Sequence, residues 1–268
     1  MGPEFESAVE AVVTGDIAVL ESLLLEHPEL VRARSARDHR ATLLHYVAAN
    51  GVEQDRQRTP KNAVEVAKLL LEAGAEVDAL AQMYGGHQTT MSMLVSSSHP
   101  AQAGVQVALV ETLLDFGAAI ELQSPLMTAL ASGYRDASEA LVRRGARADH
   151  IAAAAGLGRL ADVRQLLPSA DPESRHRALA LAAQHGHLDI VRLLLEAGED
   201  PNQFNPKDNH PHSTPLHQAV LAGHDAVVRL LVERGARLDI KDTVYQGTPR
   251  DWAVHAGQTE IERYLRER

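Results

Sequence analysis

The sequence predicts an all-α fold in which similar helix–turn–helix units stack into a solenoid. The main observation is a repeated phrase, because HGHLDIVRLLLEAGEDPN at 185–202 returns as AGHDAVVRLLVERGARLD at 222–239. Composition is the second observation. Hydrophobic residues make up 45% of the 268-residue chain and aromatic residues only 3%, which favours packed helices over a β-sandwich or barrel. Self-similarity at a fixed spacing is typical of solenoids.

Each unit contains a short first helix, a tight turn and a second helix with an apolar stripe. In one second helix the apolar residues are Leu188, Ile190, Val191, Leu193, Leu194 and Leu195. They cover one broad face of a helix, and Gly198 ends it. The preceding ALALAAQHGH is an Ala-rich helix that ends at Gly186. A single pair cannot bury its apolar face, so we expect neighbouring copies to cover one another.

Several first helices begin with a similar motif. The copies are TLLHYVAANG at Thr42, SPLMTALASG at Ser124, TPLHQAVLAG at Thr214 and TPRDWAVHAG at Thr248. A threonine at this place caps the helix through its hydroxyl group, and proline suits the first helical position. The motif resembles the T-P-L-H-x-A pattern of the ankyrin-repeat family. The long insertions in the first repeats are similar to those of a bacterial subgroup of that family.

The resemblance implies one ankyrin-repeat solenoid over residues 1–268, with about seven repeats and irregular β-hairpin fingers. An N-terminal capping helix pair is expected at 7–35. The expected repeat starts are 42, 89, 124, 149, 177, 214 and 248. The resemblance also implies that His45 and His217 join neighbouring repeats by hydrogen bonds and have no catalytic role.

The spacing of the repeats is uneven, and the irregular segments are the candidate functional regions. Insertions at 52–61 and 97–104 are expected to form extra loops between paired helices. Finger segments, the loops that join successive repeats, are long at 31–41, 78–88, 202–213 and 239–247. The central repeats have almost no room for a finger. We therefore expect a recess between long fingers at the two ends of the solenoid.

Aromatic and histidine side chains on the fingers and first helices are the candidate binding residues, because these residue types are common at recognition sites. The expected binding residues are His39, Tyr46, Tyr84, His87, His212, Tyr245, Trp252 and His255. The favoured function is a non-catalytic module that binds a protein partner through the concave face. The alternative is a small-molecule-binding protein or an enzyme that uses the central recess.

Composition narrows the range of functions. The net charge of −10 disfavours nucleic-acid binding. With no cysteine the chain has no disulfide or thiolate zinc site, which suits a reducing, cytoplasmic location. No nucleophile-elbow, P-loop or dinucleotide-binding motif occurs, so no catalytic residue, metal site or cofactor is assigned. The first residues lack a signal-peptide pattern and no apolar run is long enough to span a membrane, so we expect no membrane contact and a monomer.

Overall fold

The computed structural model describes residues 2–268, and their secondary structure is almost entirely helical. The residues group into two compact units. One contains the residues up to Ala129 together with Asp136–Arg147, and the other contains Leu130–Arg135 and Ala148–Arg268. No helix in residues 2–268 combines the length and apolar character that a membrane crossing requires.

The first unit is built from short helices joined by turns and one hairpin. Its helices are α1 (Pro3–Thr14), α2 (Ile17–Glu26), α3 (Leu43–Val47), α4 (Ala63–Glu72), α5 (Thr90–Leu94), α6 (Ser98–Gln102) and α7 (Gln106–Asp115). Helices α8 (Pro125–Ala131) and α9 (Arg135–Arg143) follow. Most residues of both helices belong to the first unit, but Leu130–Arg135, between and at the ends of these helices, belong to the second. Helix α1 contacts α2, α3 and α4, and α5 contacts α3 and α7.

The N-terminal helix pair is present, but it begins earlier than the expected 7–35. Helix α1 starts at Pro3, because proline in the first turn and Glu4 and Glu6 beside it favour a helix N-terminus. Gly15 ends α1 in the left-handed conformation, with φ 76°. A 3-10 turn at Pro28–Arg32 follows α2.

The insertion at 52–61 is held against α1 by side-chain contacts. Arg56 Nη2 lies 2.7 Å from Glu6 Oε2, and Arg58 Nη2 lies 3.0 Å from Glu10 Oε1. Just beyond the insertion, Asn62 Nδ2 donates to the Gly15 carbonyl oxygen at 2.9 Å. This segment therefore joins the N-terminal helix to the first unit.

The insertion at 97–104 is a short helix, α6, where a loop was expected. Proline is tolerated within the first turn of a helix, where its missing N–H would have no intrahelical partner. Pro100 lies in the first turn of α6, and its side chain is buried. The Gln106 side chain also fixes the segment, since its Nε2 donates to the carbonyl oxygens of Leu94 at 3.0 Å and Ser97 at 3.2 Å.

Among the described residues, one finger is a true β-hairpin. Strands β1 (Leu80–Met83) and β2 (Gly86–Thr89) pair antiparallel, with Leu80 opposite Thr89. The two turn residues, Tyr84 and Gly85, have φ values of 54° and 74°, as a two-residue hairpin turn requires. The other three long fingers, 31–41, 202–213 and 239–247, contain turns and no strand.

The second unit contains four consecutive helix pairs. They are α10 (Ile151–Gly156) with α11 (Leu160–Leu166), α12 (Pro172–Gln184) with α13 (Leu188–Glu196), α14 (Pro215–Leu221) with α15 (Asp225–Glu233), and α16 (Pro249–His255) with α17 (Thr259–Arg266). The first helices contact in the order α10, α12, α14, α16, and the second helices in the order α11, α13, α15, α17. This order is that of a stacked helix–turn–helix array.

One apolar core runs through all four pairs of this unit. Leu179 and Leu194 are fully buried in the second pair, as are Leu216 and Leu231 in the third. Ile261 continues the same core in the last pair. The apolar residues that recur in the repeated phrase therefore form a buried stripe, and each helix pair covers the stripe of its neighbour.

The repeat expected to start at 177 begins earlier. Helix α12 starts at Pro172 and Asp171 caps it, because Asp171 Oδ1 accepts a hydrogen bond from the Ser174 N–H at 2.9 Å. The first helix of this repeat therefore starts five residues before the expected position. A 3-10 turn at Leu167–Ser169 precedes it.

A glycine between paired helices allows a histidine of the next repeat to approach the backbone. Gly186 has φ 78°, and a Cβ atom there would lie 2.6 Å from His224 Nδ1. His224 Nε2 in turn lies 3.0 Å from the Gln184 carbonyl oxygen. Gly198 has φ 95°, but a Cβ atom at that position would have no neighbouring atom within 4 Å. The two glycines thus share backbone conformation and differ in packing.

We expect Gly186→Ala to lower the free energy of unfolding more than Gly198→Ala does. Both changes place a side chain in the left-handed region, at about 1–2 kcal/mol each, but only Gly186→Ala also displaces His224. Urea unfolding of the two variants measures the difference. Equal losses would show that the His224 contact contributes nothing to stability.

Candidate functional site

A cavity of about 630 Å³ lies in the second unit, between two fingers and two first helices. Its lining residues belong to finger 202–213, α14, finger 239–247 and α16. They are His210, His212, Gln218, Leu221, Tyr245, Gly247, Asp251, Trp252 and His255. We call this the C-terminal cavity. Cavities that hold small-molecule ligands commonly have volumes of this order.

The histidine of the TPLH motif fixes one wall of the cavity. The Thr214 N–H donates to His217 Nδ1 at 3.3 Å, so Nδ1 is the acceptor and Nε2 carries the proton. Nε2 lies 3.2 Å from the Gly247 carbonyl oxygen, to which it donates. Burial lowers the pKa of His217, which keeps the ring neutral. His217 thereby connects the start of α14 to the finger that follows it.

Two other first helices use a histidine in the same way. His45 Nε2 lies 3.3 Å from the Gln88 carbonyl oxygen, at the end of the β1–β2 hairpin. In α12, His176 Nε2 lies 3.1 Å from the Phe204 carbonyl oxygen. The expected connecting role of His45 and His217 therefore agrees with the contacts, and His176 performs it without a TPLH motif.

Finger 202–213 is closed by backbone hydrogen bonds and fixed by a histidine. The Asn205 N–H donates to the Ser213 carbonyl oxygen at 2.8 Å, and the Ser213 N–H to that of His210 at 3.0 Å. His210 Nε2 lies 2.7 Å from the Ala131 carbonyl oxygen. Burial lowers the pKa of His210. His210 therefore lines the cavity as a neutral ring whose Nε2 is hydrogen-bonded to the backbone.

Finger 239–247 is folded around the buried side chain of Asp242. Its Oδ1 accepts the N–H groups of Val244 at 2.9 Å and Tyr245 at 2.6 Å. Its Oδ2 accepts the Gly247 N–H and the Trp252 indole N–H, both at 2.9 Å. Burial acts to raise the pKa of Asp242, but these hydrogen bonds outweigh it and lower the pKa to about 2. The carboxylate is therefore ionised and holds both Tyr245 and Trp252 in place.

Aromatic rings form the other side of the cavity. The His212 ring centroid lies 6.2 Å from that of Tyr245 and 5.9 Å from that of Trp252. The His217 ring meets Trp252 edge-on at 5.1 Å. The two fingers are also joined directly, because the Thr243 N–H donates to the His212 carbonyl oxygen at 2.9 Å. This backbone hydrogen bond keeps the finger that carries His212 next to the finger that carries Tyr245.

Comparison with known proteins identifies the repeats. A family model described as ankyrin repeats in three copies matches residues 150–242 and again 202–268. Human cyclin-dependent kinase inhibitor 2A is 35% identical over 124 residues, which is 44% of this chain and 76% of that protein. The chain belongs to the ankyrin-repeat family. Ankyrin repeats are a protein–protein interaction module.

Other ankyrin-repeat relatives match shorter or longer parts of their own sequences. Human cyclin-dependent kinase 4 inhibitor B is 32% identical over 136 residues, 49% of this chain and 96% of that protein. Mouse ankyrin repeat and SAM domain-containing protein 6 is 37% identical over 98 residues, 37% of this chain. The match spans only 11% of the mouse protein's length.

Four of the eight expected binding residues line the C-terminal cavity of the ankyrin repeats. These are His212, Tyr245, Trp252 and His255. The other four lie in the first unit. There, Tyr84 is 69% exposed at the tip of the β1–β2 hairpin, and His87 is exposed on β2.

Tyr46 is a correction to the expected set, and His39 is partly buried. Tyr46 is 1% exposed, so its side chain belongs to the core of the first unit and is not part of a contact surface. His39 packs edge-on against Tyr46, with ring centroids 6.0 Å apart, and its Nε2 lies 3.4 Å from Glu53 Oε2. The insertion that carries Glu53 therefore covers His39.

Five cavity residues are absent from the expected set, and the repeat register could have identified two of them. When the helices that follow Thr214 and Thr248 are aligned, Gln218 corresponds to Trp252 and Leu221 to His255. The remaining three are His210, Gly247 and Asp251. The positions of His210 and Gly247 depend on how the two fingers fold, and that of Asp251 depends on which turn of α16 packs beside them.

His185 and His187, which lie two residues apart, each place Nε2 against a backbone carbonyl oxygen. His185 Nε2 lies 2.8 Å from the Leu130 carbonyl oxygen and His187 Nε2 lies 3.0 Å from that of Gly156. Within residues 2–268, no cluster of three or more His, Asp or Glu side chains has an arrangement that could hold a metal ion. His210 and His212 lie edge to face, with ring centroids 5.9 Å apart.

Proposed function

We propose that the chain binds a protein partner through the C-terminal cavity and the fingers around it. The observation that carries the proposal is the cavity itself, which is open, lined with aromatic rings and bordered by exposed apolar side chains. Tyr245 is 76% exposed and Leu221 is 43% exposed. Exposed apolar surface of this kind next to a cavity is typical of interaction sites.

The family supports a protein as the partner. The names of two relatives describe inhibitors of a cyclin-dependent kinase, and ankyrin repeats are an interaction module. We propose that His212, Tyr245, Trp252 and His255 contact the partner. Tyr84 and His87, on the β1–β2 hairpin, are proposed as further contact residues. We also propose that the chain is a cytoplasmic monomer without catalytic activity, with no nucleic-acid partner because its net charge is −10.

Peptide selection followed by mutation tests the proposal. Peptides selected from a displayed random library on the immobilised chain are labelled, and their affinities are measured by fluorescence anisotropy. We expect Tyr245→Ala to weaken binding at least about tenfold, which is the effect typical of an aromatic anchor. The melting temperature should change little, because a mostly exposed side chain contributes little to the core.

The matched control is Leu25→Ala, which truncates a side chain that is 83% exposed on α2. This change should leave both affinity and melting temperature unchanged. If Tyr245→Ala and Leu25→Ala behave alike, the cavity is not the binding site. Tyr84→Ala tests the contribution of the hairpin separately.

A small-molecule ligand is the second candidate, and the cavity volume of about 630 Å³ is the observation that favours it. Pockets for small molecules commonly measure about 300–1,000 Å³ and contain a few placed polar groups. A thermal-shift screen of metabolites distinguishes this candidate. A compound that raises the melting temperature of the wild-type chain but not that of Tyr245→Ala would favour it.

A further inference from the structure

The C-terminal cavity presents two aromatic rings that are suited to contact with a cation. The negative faces of tryptophan and tyrosine rings attract ammonium and guanidinium groups within about 6 Å. Trp252 is partly buried and Tyr245 is largely exposed, so the cavity has one fixed and one accessible ring. The Trp252 indole N–H donates to the ionised Asp242 carboxylate, and such a bond polarises the ring toward higher electron density.

Charge around these rings is negative. Asp251 lines the cavity, and hydrogen bonds from the Thr248 N–H and hydroxyl group lower its pKa. Both bonds reach Oδ2, at 2.8 and 2.7 Å, so Oδ1 is available to a ligand. No lysine or arginine occurs among the described residues that line the cavity.

The nearest basic side chains lie outside the lining. Arg250 Nε is paired with Glu262 Oε1 at 2.8 Å, and Lys241 is exposed on the finger. The whole chain carries a net charge of −10, which attracts a basic partner over longer distances. Geometry and charge therefore favour a positively charged occupant over a neutral or acidic one.

We propose that the C-terminal cavity holds a lysine or arginine side chain of the partner, in contact with the Trp252 and Tyr245 rings that lie on either side of His212, with Asp251 as its counter-ion. This inference rests on the proposed function, because the cation is supplied by a bound protein segment. A planar guanidinium group can stack on a ring and bond a carboxylate at the same time. Arginine is therefore expected to bind at least as tightly as lysine.

Positional peptide pools test the inference. Each pool is a labelled random peptide library whose central residue is fixed as arginine, lysine, citrulline or norleucine. Citrulline keeps the shape of arginine and norleucine approximates the chain of lysine, but both are neutral. We expect the arginine and lysine pools to bind the full chain about tenfold more tightly than the neutral pools.

Two variants test whether Asp251 causes the preference for the arginine and lysine pools. Asp251→Asn should keep the helix cap but remove the counter-ion, and should weaken the arginine pool about tenfold with little effect on the norleucine pool. Asp239→Asn is the matched control, since it neutralises an exposed carboxylate on the finger that precedes α16, and the partner of that carboxylate is Arg237. It should change the affinity of every pool less than about twofold.

The outcomes separate the inference from the proposed function. If the norleucine pool binds as tightly as the basic pools, the anchor is apolar and the inference is overturned, while protein binding stands. If no pool binds, the proposed function fails as well. If free arginine amide or tetramethylammonium binds the chain as tightly as the basic pools do, the cavity is a small-cation site and the side-chain proposal is overturned.

Discussion

Replacing Asp242 with alanine should lower the free energy of unfolding by about 3 kcal/mol and disorder the wall of the C-terminal cavity. The carboxylate accepts three backbone N–H groups and the Trp252 indole N–H. Each buried donor that loses its acceptor costs about 1–3 kcal/mol, and water can satisfy only those that become exposed. Binding of any selected peptide should weaken in parallel, because Tyr245 and Trp252 lose their common support.

Urea unfolding monitored by circular dichroism measures the loss, and Trp252 emission reports the local change. We expect the emission to shift to longer wavelength as the indole meets more water. Asp239→Ala is the matched control on the same finger, and its exposed pair with Arg237 should contribute almost nothing. If Asp242→Ala behaves like Asp239→Ala in both measurements, the finger is not folded around this carboxylate.

Stability should fall as the pH is lowered from 7.5 to 5. Burial lowers the pKa of His45 from 6.5 to about 4, and the hydrogen bond to the Gln88 carbonyl oxygen only partly offsets it. The unfolded chain therefore takes up a proton below pH 6.5 that the folded chain does not take up until about pH 4. This contribution is complete above pH 6.5 and is lost as the pH falls toward 4.

The expected magnitude follows from the pKa difference. At pH 5 the unfolded value of 6.5 lies 1.5 units higher, which corresponds to about 2 kcal/mol for His45 alone at about 1.36 kcal/mol per unit. Burial lowers the pKa of five further histidines and adds to the loss. They are His176, His185, His187, His210 and His217.

Urea unfolding at pH 7.5 and pH 5 measures the dependence. The pH-dependent loss should shrink by about 2 kcal/mol in His45→Gln, whatever that variant's stability at pH 7.5. His217→Gln is a second test if His45→Gln does not fold, because burial also lowers the pKa of His217 and its removal should make the loss smaller. His87→Gln changes an exposed side chain and serves as the control. A wild-type chain equally stable at both pH values would contradict the prediction.

The helices were predictable because their causes are local. Thr214 followed by proline gives a cap and a first helical residue, and apolar residues at helical spacing give the buried stripe. Where prediction failed, a different local signal was stronger. Asp171 and Pro172 start α12 five residues before the expected 177, and Pro100 lies in a short helix where the insertion was expected to be a loop.

The cavity was predictable only in part, because distant residues determine its walls. Tyr245, Trp252 and His255 were identified by residue type and their place in a repeat. That Asp242 would accept four hydrogen bonds could not be inferred, since the turn that brings the N–H groups together is not encoded by a single motif. Tyr46 was misassigned for a related reason, since a first helix has both a buried and an exposed side, and short helices give little periodicity to separate them.

The emission of Trp252 tests the central claim, that the C-terminal cavity is the binding site, most directly. The chain has a single tryptophan, and it lines that cavity. Titration of the chain with a selected peptide should change the emission saturably, with the dissociation constant that anisotropy gives, and Tyr245→Ala should raise that constant at least about tenfold in both measurements. A peptide that binds tightly by anisotropy while the Trp252 emission stays constant would contradict the claim.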